Sequence, residues 1–431
     1  MTISEINHLE FAAFIGIDWA DQKHDIHLHI VETGKAEPLI LPNKPEKISD
    51  WVAGLRQRFG GRPVAIALEQ KRGALIYALM NYEFLVLFPI NPLSLVRFRE
   101  AFATSRAKDD PVDARLLCDM LRQHRDKLTP WIPDDPLTRR LTLLVEFRRQ
   151  MVDDRTRLTN RLTSMLKQYF PQALGWAGEL SKPLAVDFLK RWPQLEDLQK
   201  TPADDILGLY KAHGCRFNGK FPLRHADIMA ARPLTTDPAV IGGSMAMMAA
   251  QLEPLREVIK SVEKLEAEIS VCFAQHPDAE IFLSLPGAGP VFAPRLLAAF
   301  GTDRSRFPEA GNLQSYAGVA PVTRRSGKTS LVQVRHACPK FVRQTFHEYA
   351  CSSYKFSPWA RAFYEQQKSR GHKPQEATRA LAFKWIRVIH SCWQNREKYD
   401  ESRYQEQLIR RGSPLAKLIP EFVGQTDVTQ S

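Results

Sequence analysis

The chain predicts an α/β domain followed by an all-α region, and three observations carry that expectation. Short apolar runs alternate with helix-period segments over about the first hundred residues. Two apolar stripes at heptad spacing occupy the middle of the sequence. The last third is helical in pattern, basic and rich in aromatic residues. The first feature specifies a mixed sheet with helices on its faces, and the other two specify a long helical pair joined to a helical domain.

In chain order, FAAFIGID (11–18), HDIHLHIV (24–31) and AEPLILP (36–42) read as three consecutive strands. EKISDWVAGLRQRF (46–59) reads as a helix, PVAIALE (63–69) as a buried strand, GALIYALMNY (73–82) as a helix and FLVLFPI (84–90) as a strand. Leu144, Phe147, Met151, Leu158, Leu162, Met165 and Tyr169 form the first apolar stripe. Met245, Met248, Leu252, Leu255, Ile259, Val262, Ile269 and Phe273 form the second. A Pro-punctuated helical insert (171–243) separates them, so the stripes are expected to fold back as an antiparallel coiled coil. Seven arginines (139, 140, 148, 149, 155, 157 and 161) line the first of these helices, as a solvated face or a nucleic-acid contact. Beyond it, LSLPGAGPVFAPRLLAAFG (283–301) sets Pro-Gly-x-Gly before a helix. In a helix-hairpin-helix turn the backbone N–H groups around Gly287 and Gly289 meet a phosphate. In a plain helix entry the same glycines only supply positive φ. Helical, basic and aromatic sequence then runs to about residue 411, and the tail after it is expected to be flexible.

At 431 residues the chain has room for two or three cores. No run of eighteen apolar residues exists to span a membrane, and MTISEINHLEF lacks the pattern of a signal peptide. Six cysteines without a Cys-x-x-Cys pair argue against a disulfide framework or zinc site and fit a reducing cytosol. The net charge of +12 is unevenly placed. Residues 300–411 hold 21 Lys and Arg against 9 Asp and Glu, while residues 1–299 hold 38 against 37. A basic third on a neutral remainder is the footprint of a polyanion binder.

Four carboxylates stand at positions where open α/β sheets present chemistry. Asp18 ends the first strand and Glu69 ends the fourth. In AKDDPVDARLL (107–117), Pro111 suits the first helical position, which makes Asp110 the N-cap and puts Asp113 one turn later on the same face. Asp109 is an alternative to Asp110. Singly, each acid has an ordinary reading as turn residue, ion-pair partner or cap. Together they would repel unless a cation neutralised them, and such hard oxygen donors suit Mg²⁺ or Mn²⁺. His24, His27 and His29 include an alternating pair on an exposed strand face, with no partner to complete a metal cage.

TRRSGKTSL (323–331) ends like a P-loop but is not one, because the required upstream glycine position is Val322. What remains is Ser326 among Arg324, Arg325 and Lys328, with Arg335, Lys340 and Arg343 following as further candidate nucleic-acid contacts. Thr329 and Ser330 are neighbouring hydroxyls.

GIDWADQKHDIHL, the Glu of IALE, KDDPVDARLL, LPGAGP and YAGVAP followed by TRRSG occur in the order seen in DEDD-type insertion-sequence transposases. The chain resembles the "one-ten" family of these, including its "eleven-eleven" subgroup, from residue 11 to about 395. The insert at 171–243 is the least similar part. The resemblance implies a RuvC-like, ribonuclease-H-like domain (1–130), a coiled coil (138–275) and a C-terminal transposase domain (280–411), followed by a flexible tail (412–431). It implies Asp18, Glu69, Asp110 and Asp113 as metal-binding acids and Ser326 as nucleophile. It further implies a bridge RNA that pairs with donor and target DNA, and a dimer or tetramer in which one subunit's acids meet another's serine. A cytoplasmic, nucleoid-associated setting in a bacterium or archaeon follows. One departure is local: Gln70-Lys71-Arg72 separates Glu69 from Gly73 where many members have a residue pair, which shifts the turn after Glu69. From the residues alone, two rivals stand beside this reading. One is a water-using nuclease at the four acids; the other is a non-catalytic nucleic-acid scaffold.

Overall fold

The computed structural model describes residues 3–69, 73–102, 110–217, 219–327 and 329–419. It divides into two units, Met1–Asp134 and Asp135–Ser431. Asp109, Lys328 and Gln70-Lys71-Arg72 lie outside the described residues, as does the side chain of Arg324.

The first unit is a five-stranded mixed sheet in the order β3-β2-β1-β4-β5. Its strands are β1 (Ala13–Asp18), β2 (Lys23–Ile30), β3 (Ala36–Pro42), β4 (Val64–Leu68) and β5 (Leu85–Pro89), each within a few residues of its expected run. β1, β2 and β3 pair antiparallel, whereas β1, β4 and β5 pair parallel. β4 and the apolar part of β5 are buried on both faces, hence their unbroken apolar sequences. On one face Ile15, Ile17, Ile66 and Leu87 pack with Ile48, Val52 and Leu55 of α1 (Pro45–Arg58) and Leu75, Ile76 and Leu79 of α2 (Ala74–Leu79). On the other, Ala65, Ala67 and Phe88 meet Leu95 and Phe98 of α3 (Pro92–Phe102) and Leu116, Leu117 and Leu121 of α4 (Asp110–His124).

Small residues decide how close α4 comes to the sheet. Gly16 pairs with Ala67 in the β1–β4 register, leaving a shallow trough under the helix. A Cβ on Gly16 would lie 2.5 Å from the Cys118 backbone nitrogen and closer still to the Ala114 carbonyl. The Cys118 thiol reaches back to the Phe14 carbonyl at 3.4 Å, and burial pushes it up to about 12. This contact fixes where the first turn of α4 falls relative to the end of β1.

The second unit is built on α5 (Pro136–Tyr169) and α6 (Pro238–Ala274), which run antiparallel. Thr138 meets His276 at 2.9 Å near one end of the pair, and the Tyr169 hydroxyl meets the Met248 sulfur at 3.4 Å near the other. Asp135 caps α5 by accepting from the Thr138 N–H at 3.0 Å. The stripes expected to pair as an antiparallel coiled coil share their cores with other elements. Phe147 is 49% exposed, and the ends of α5 enter two separate cores. Leu141, Leu144 and Val145 pack into the C-terminal core with Ile269 and Phe273. Leu162, Met165, Leu166 and Tyr169 pack into the core of the insert around Phe188 and Trp192. The helix expected after the insert begins at Pro238, inside the expected insert range. Much of the arginine ladder is neutralised within the unit. Arg140 pairs with Glu268, Arg148 with Glu266, Arg149 with Asp153 and Glu348, and Arg157 with Asp154.

The C-terminal core joins α7 (Gly289–Phe300), α8 (Lys340–Ser353), α9 (Pro358–Ser369) and α10 (Pro374–Asn395) through buried aromatics, among them Phe346, Tyr349, Trp359, Trp385 and Trp393. The three indole N–H groups are satisfied inside: Trp385 donates to the Ser353 hydroxyl at 2.7 Å, Trp359 to the Tyr399 hydroxyl at 2.7 Å and Trp393 to the Gly301 carbonyl at 3.0 Å. Two expectations change here. Val322–Ser326 (β6) and Thr329–Gln333 (β7) form an antiparallel hairpin where helix was expected. The chain past residue 411 continues into a 3-10 turn, Pro414–Leu418, whose Leu415 is buried. Among the described residues, no helix is long and apolar enough to cross a membrane.

Replacing Gly16 with Val should lower the stability of the first unit by about 1–3 kcal/mol, the cost of overpacking a closed contact. Urea denaturation read on that unit would record it, and an unchanged midpoint would mean that α4 does not rest on β1 as described.

Candidate active site and the serine hairpin

Asp18 closes β1, Glu69 follows the last residue of β4, and Asp110 and Asp113 occupy the first turn of α4. Parallel pairing of β1 with β4 sets the first two side by side, and the Gly16 contact brings the α4 turn over them. The consequence is electrostatic. The Asp18 carboxyl is raised from 3.8 to about 7, first by burial and then by repulsion from Asp110, Asp113, Glu69 and Asp25. All four acids singled out from the sequence therefore act on one point. Asp110 is itself the first helical residue, one position inside the cap expected for it, and the positive end of the helix dipole favours both α4 carboxylates.

Two participants were missed in the sequence. Asp25 lies directly opposite Asp18 in the β1–β2 register, is buried, and pairs with Lys23 at 3.9 Å. Drawing the register of the hairpin Asp18…Asp25 would have found it. Arg99 of α3 forms an ion pair with Asp113, and both side chains are largely buried. No sequence signal marks that contact, because it is made between two helices. The histidines separate as strand alternation requires. His27 and His29 share the α4 face with Asp119, and His29 also feels Arg122. Burial is the main cause holding both below the ordinary imidazole value. His24 is buried on the other face and accepts from the Ala20 N–H at 3.3 Å.

The acid set fits a divalent cation in donor chemistry. Its oxygens are hard, and the Asp18 carboxyl is raised by burial and then by the negative charge around it. Arg99 compensates Asp113, and Lys23 lies 3.9 Å from Asp25. Among the described residues, no three His, Cys, Asp or Glu side chains stand together closely enough to hold an ion. Cation binding at this set would therefore require side-chain closure and release of Asp113 from Arg99.

Ser326 lies in the second unit, exposed at the end of β6 and opposite Thr329 in the register. Gly327 takes φ +55, the positive value that a tight hairpin connection requires. This is the structural reason for the glycine in Ser-Gly-Lys-Thr. The register resolves the neighbouring residues by face. Ser326, Thr329 and Leu331 lie on one side, whereas Thr323, Arg325, Ser330 and Val332 lie on the other. Arg325 therefore does not share a face with Ser326. Lys340 is exposed, whereas Arg343 is engaged: it donates to the Arg335 and His336 carbonyls at 2.6 and 3.0 Å. Arg335 is partly buried. Gly287 and Gly289 both have positive φ, at +72 and +50, in the turn that enters α7. The Phe356 ring covers Gly287, while the space beside Gly289 is open.

Comparison with known proteins defines the class. A DEDD transposase profile matches residues 15–171, the stretch containing all four acids. A second profile, described as the transposase IS116/IS110/IS902 family, matches residues 279–365, which include Ser326. The chain is 32% identical over 405 residues to the "Mini-circle putative transposase for IS117" of Streptomyces coelicolor, covering 90% of this chain and 96% of the relative. It is 26% identical over 398 residues to the insertion element IS110 43.6 kDa protein of the same organism, covering 91% and 96%. It is 30% identical over 304 residues to the insertion element IS900 42 kDa protein of Mycobacterium paratuberculosis, covering 68% and 73%. The chain belongs to the IS116/IS110/IS902 family of transposases.

Two predictions follow from the electrostatics. Because folding raises the Asp18 pKa, its contribution is fully present below 3.8 and is lost as pH rises through about 7. Metal-free Asp18→Asn should thus melt above wild type at about pH 8 and converge with it near pH 4. Added Mg²⁺ should reverse the order at the higher pH by stabilising only the wild type. Arg99→Met should cost roughly 3 kcal/mol in the presence of a chelator, since it strands a buried carboxylate. Saturating Mn²⁺ should restore most of that loss in thermal melts. No recovery would remove Asp113 from the cation-binding set.

Proposed function

We propose that this transposase cuts and rejoins DNA through Ser326, with Asp18, Glu69, Asp110 and Asp113 holding Mg²⁺ or Mn²⁺. The observation that carries the reading is the convergence of like charge on Asp18, which leaves a carboxylate set in need of a cation. A divalent ion bound there would supply charge neutralisation at a phosphate oxygen. The four acids sit at the ends of β1 and β4 and the start of α4, elements rigid enough to keep such a set in place. The exposed Ser326 hydroxyl attacks the phosphorus. Its Oγ–P bond forms as one P–O ester bond breaks, the serine gives up its proton, and the departing oxygen takes one up. The phosphodiester energy stays in the protein–DNA link, so strands can be rejoined without ATP. Arg324 and Lys328, each two residues from Ser326 in sequence, are the candidates to steady the phosphate.

Sequence choice is assigned to a structured bridge RNA of the element, which pairs with donor and target DNA. Base pairing then reads sequence while the protein reads backbone and shape. The acids lie in the first unit and the serine in the second. A dimer or tetramer that joins them between subunits is consistent with this division.

A second reading keeps the same acids but uses water as nucleophile, and it is favoured by the acids assembling within the first unit alone. The two readings differ in product. Ser326→Ala should abolish the covalent protein–DNA species, detected on denaturing gels with labelled DNA, while retaining nucleic-acid binding. Free hydrolysed ends with no protein-linked strand in the wild type would select the water mechanism.

A further inference from the structure

The β6–β7 hairpin projects without a core beneath it. From Thr323 to Val334, every residue whose burial is described is exposed, with Leu331 and Val332 at 51% and 63%. A two-stranded hairpin is marginal in water by itself, so apolar side chains held out on one call for a partner. The neck, in contrast, is held firmly. Arg343 grips the Arg335 and His336 carbonyls, and Gly318, at φ +70, leaves room for the Cys338 sulfur where any Cβ would collide. The result is an exposed arm on a fixed base. Its charge selects the partner: residues 310–347 contain six Lys and Arg and no Asp or Glu.

We propose that this hairpin is a ribbon that docks in the major groove of a B-form DNA duplex through its Thr323, Arg325, Ser330 and Val332 face. Two strands about 4.8 Å apart, with their side chains, match a groove about 12 Å wide. That face carries the appropriate chemistry: an arginine for a guanine edge, two hydroxyls, and an aliphatic group for a thymine methyl. Ser326 lies on the opposite face, turned away from the docked duplex. The ribbon thereby separates docking from chemistry. The inference rests on the proposed cutting and rejoining of DNA, and assigns a contact surface within it.

The test uses the full chain, a duplex made from the DNA flanking its reading frame, and dimethyl sulfate. That reagent methylates guanine N7 in the major groove and adenine N3 in the minor groove. Wild type should protect N7 positions. The Arg325→Gln/Val332→Thr double variant should lose that protection and bind the duplex about tenfold more weakly. Both positions are exposed, so its circular dichroism and melting should match wild type. Ser326→Ala should keep the N7 protection while losing the covalent adduct. Protection confined to adenine N3, or N7 protection unchanged in the double variant, overturns the proposal. So does a changed sedimentation coefficient of the DNA-free double variant, which would assign the arm to a second copy of the chain. An equal loss of affinity for a single-stranded RNA of the same length overturns it too. A surviving adduct in Ser326→Ala would instead refute the serine mechanism and leave the groove result standing.

Discussion

The contact of α4 with β1 at Gly16 is the constraint on which the candidate site depends. An α-helix crossing a sheet normally stands off by the length of the side chains between them. Here one strand residue has none, its neighbour on β4 is Ala67, and the helix backbone settles onto the strand. That approach carries the first turn of α4 over the end of β1, so Asp110 and Asp113 act on Asp18 although they lie more than ninety residues away in sequence. Three independent pieces of chain, two strand ends and one helix start, thereby concentrate like charge. Burial and that concentration of charge together raise the Asp18 carboxyl, and Arg99 is committed to Asp113.

The second unit solves a different problem. Phe346, Tyr349, Trp359, Trp385 and Trp393 are spent on a core that ties α7 to α10 together, leaving no aromatic stacking platform among these buried rings. What it exposes instead is an arm with a fixed neck. Under the proposed function Ser326 would gain from that arrangement, because positional precision comes from the neck while access comes from the lack of cover. The arginine ladder of α5, by comparison, is largely consumed by glutamates and aspartates of its own unit.

Legibility of these features in the sequence tracks the range of the interaction behind them. The five strands and their helices were readable because period-2 and period-3.6 patterns are local. The acids were readable as candidates because strand ends and helix starts can be located from those patterns. Asp25 and Arg99 were not, since one needs a strand register and the other a helix–helix contact. The β6–β7 hairpin had a local signal, Val-Thr-Arg-Arg-Ser and Thr-Ser-Leu-Val-Gln about a glycine, which the helical reading of the whole stretch to about residue 411 passed over. The heptad stripes located both long helices but overstated their seam. Heptad spacing cannot tell a partner helix from the two globular cores that take up the ends of α5.

The proposed cation-binding set of four acids around Asp18 is tested by an anomalous difference map from crystals of the full chain grown with Mn²⁺. The expected result is a peak bounded by the carboxylates of Asp18, Glu69, Asp110 and Asp113, with the Arg99 guanidinium withdrawn from Asp113. A map with no density there and Arg99 still paired to Asp113 would contradict it.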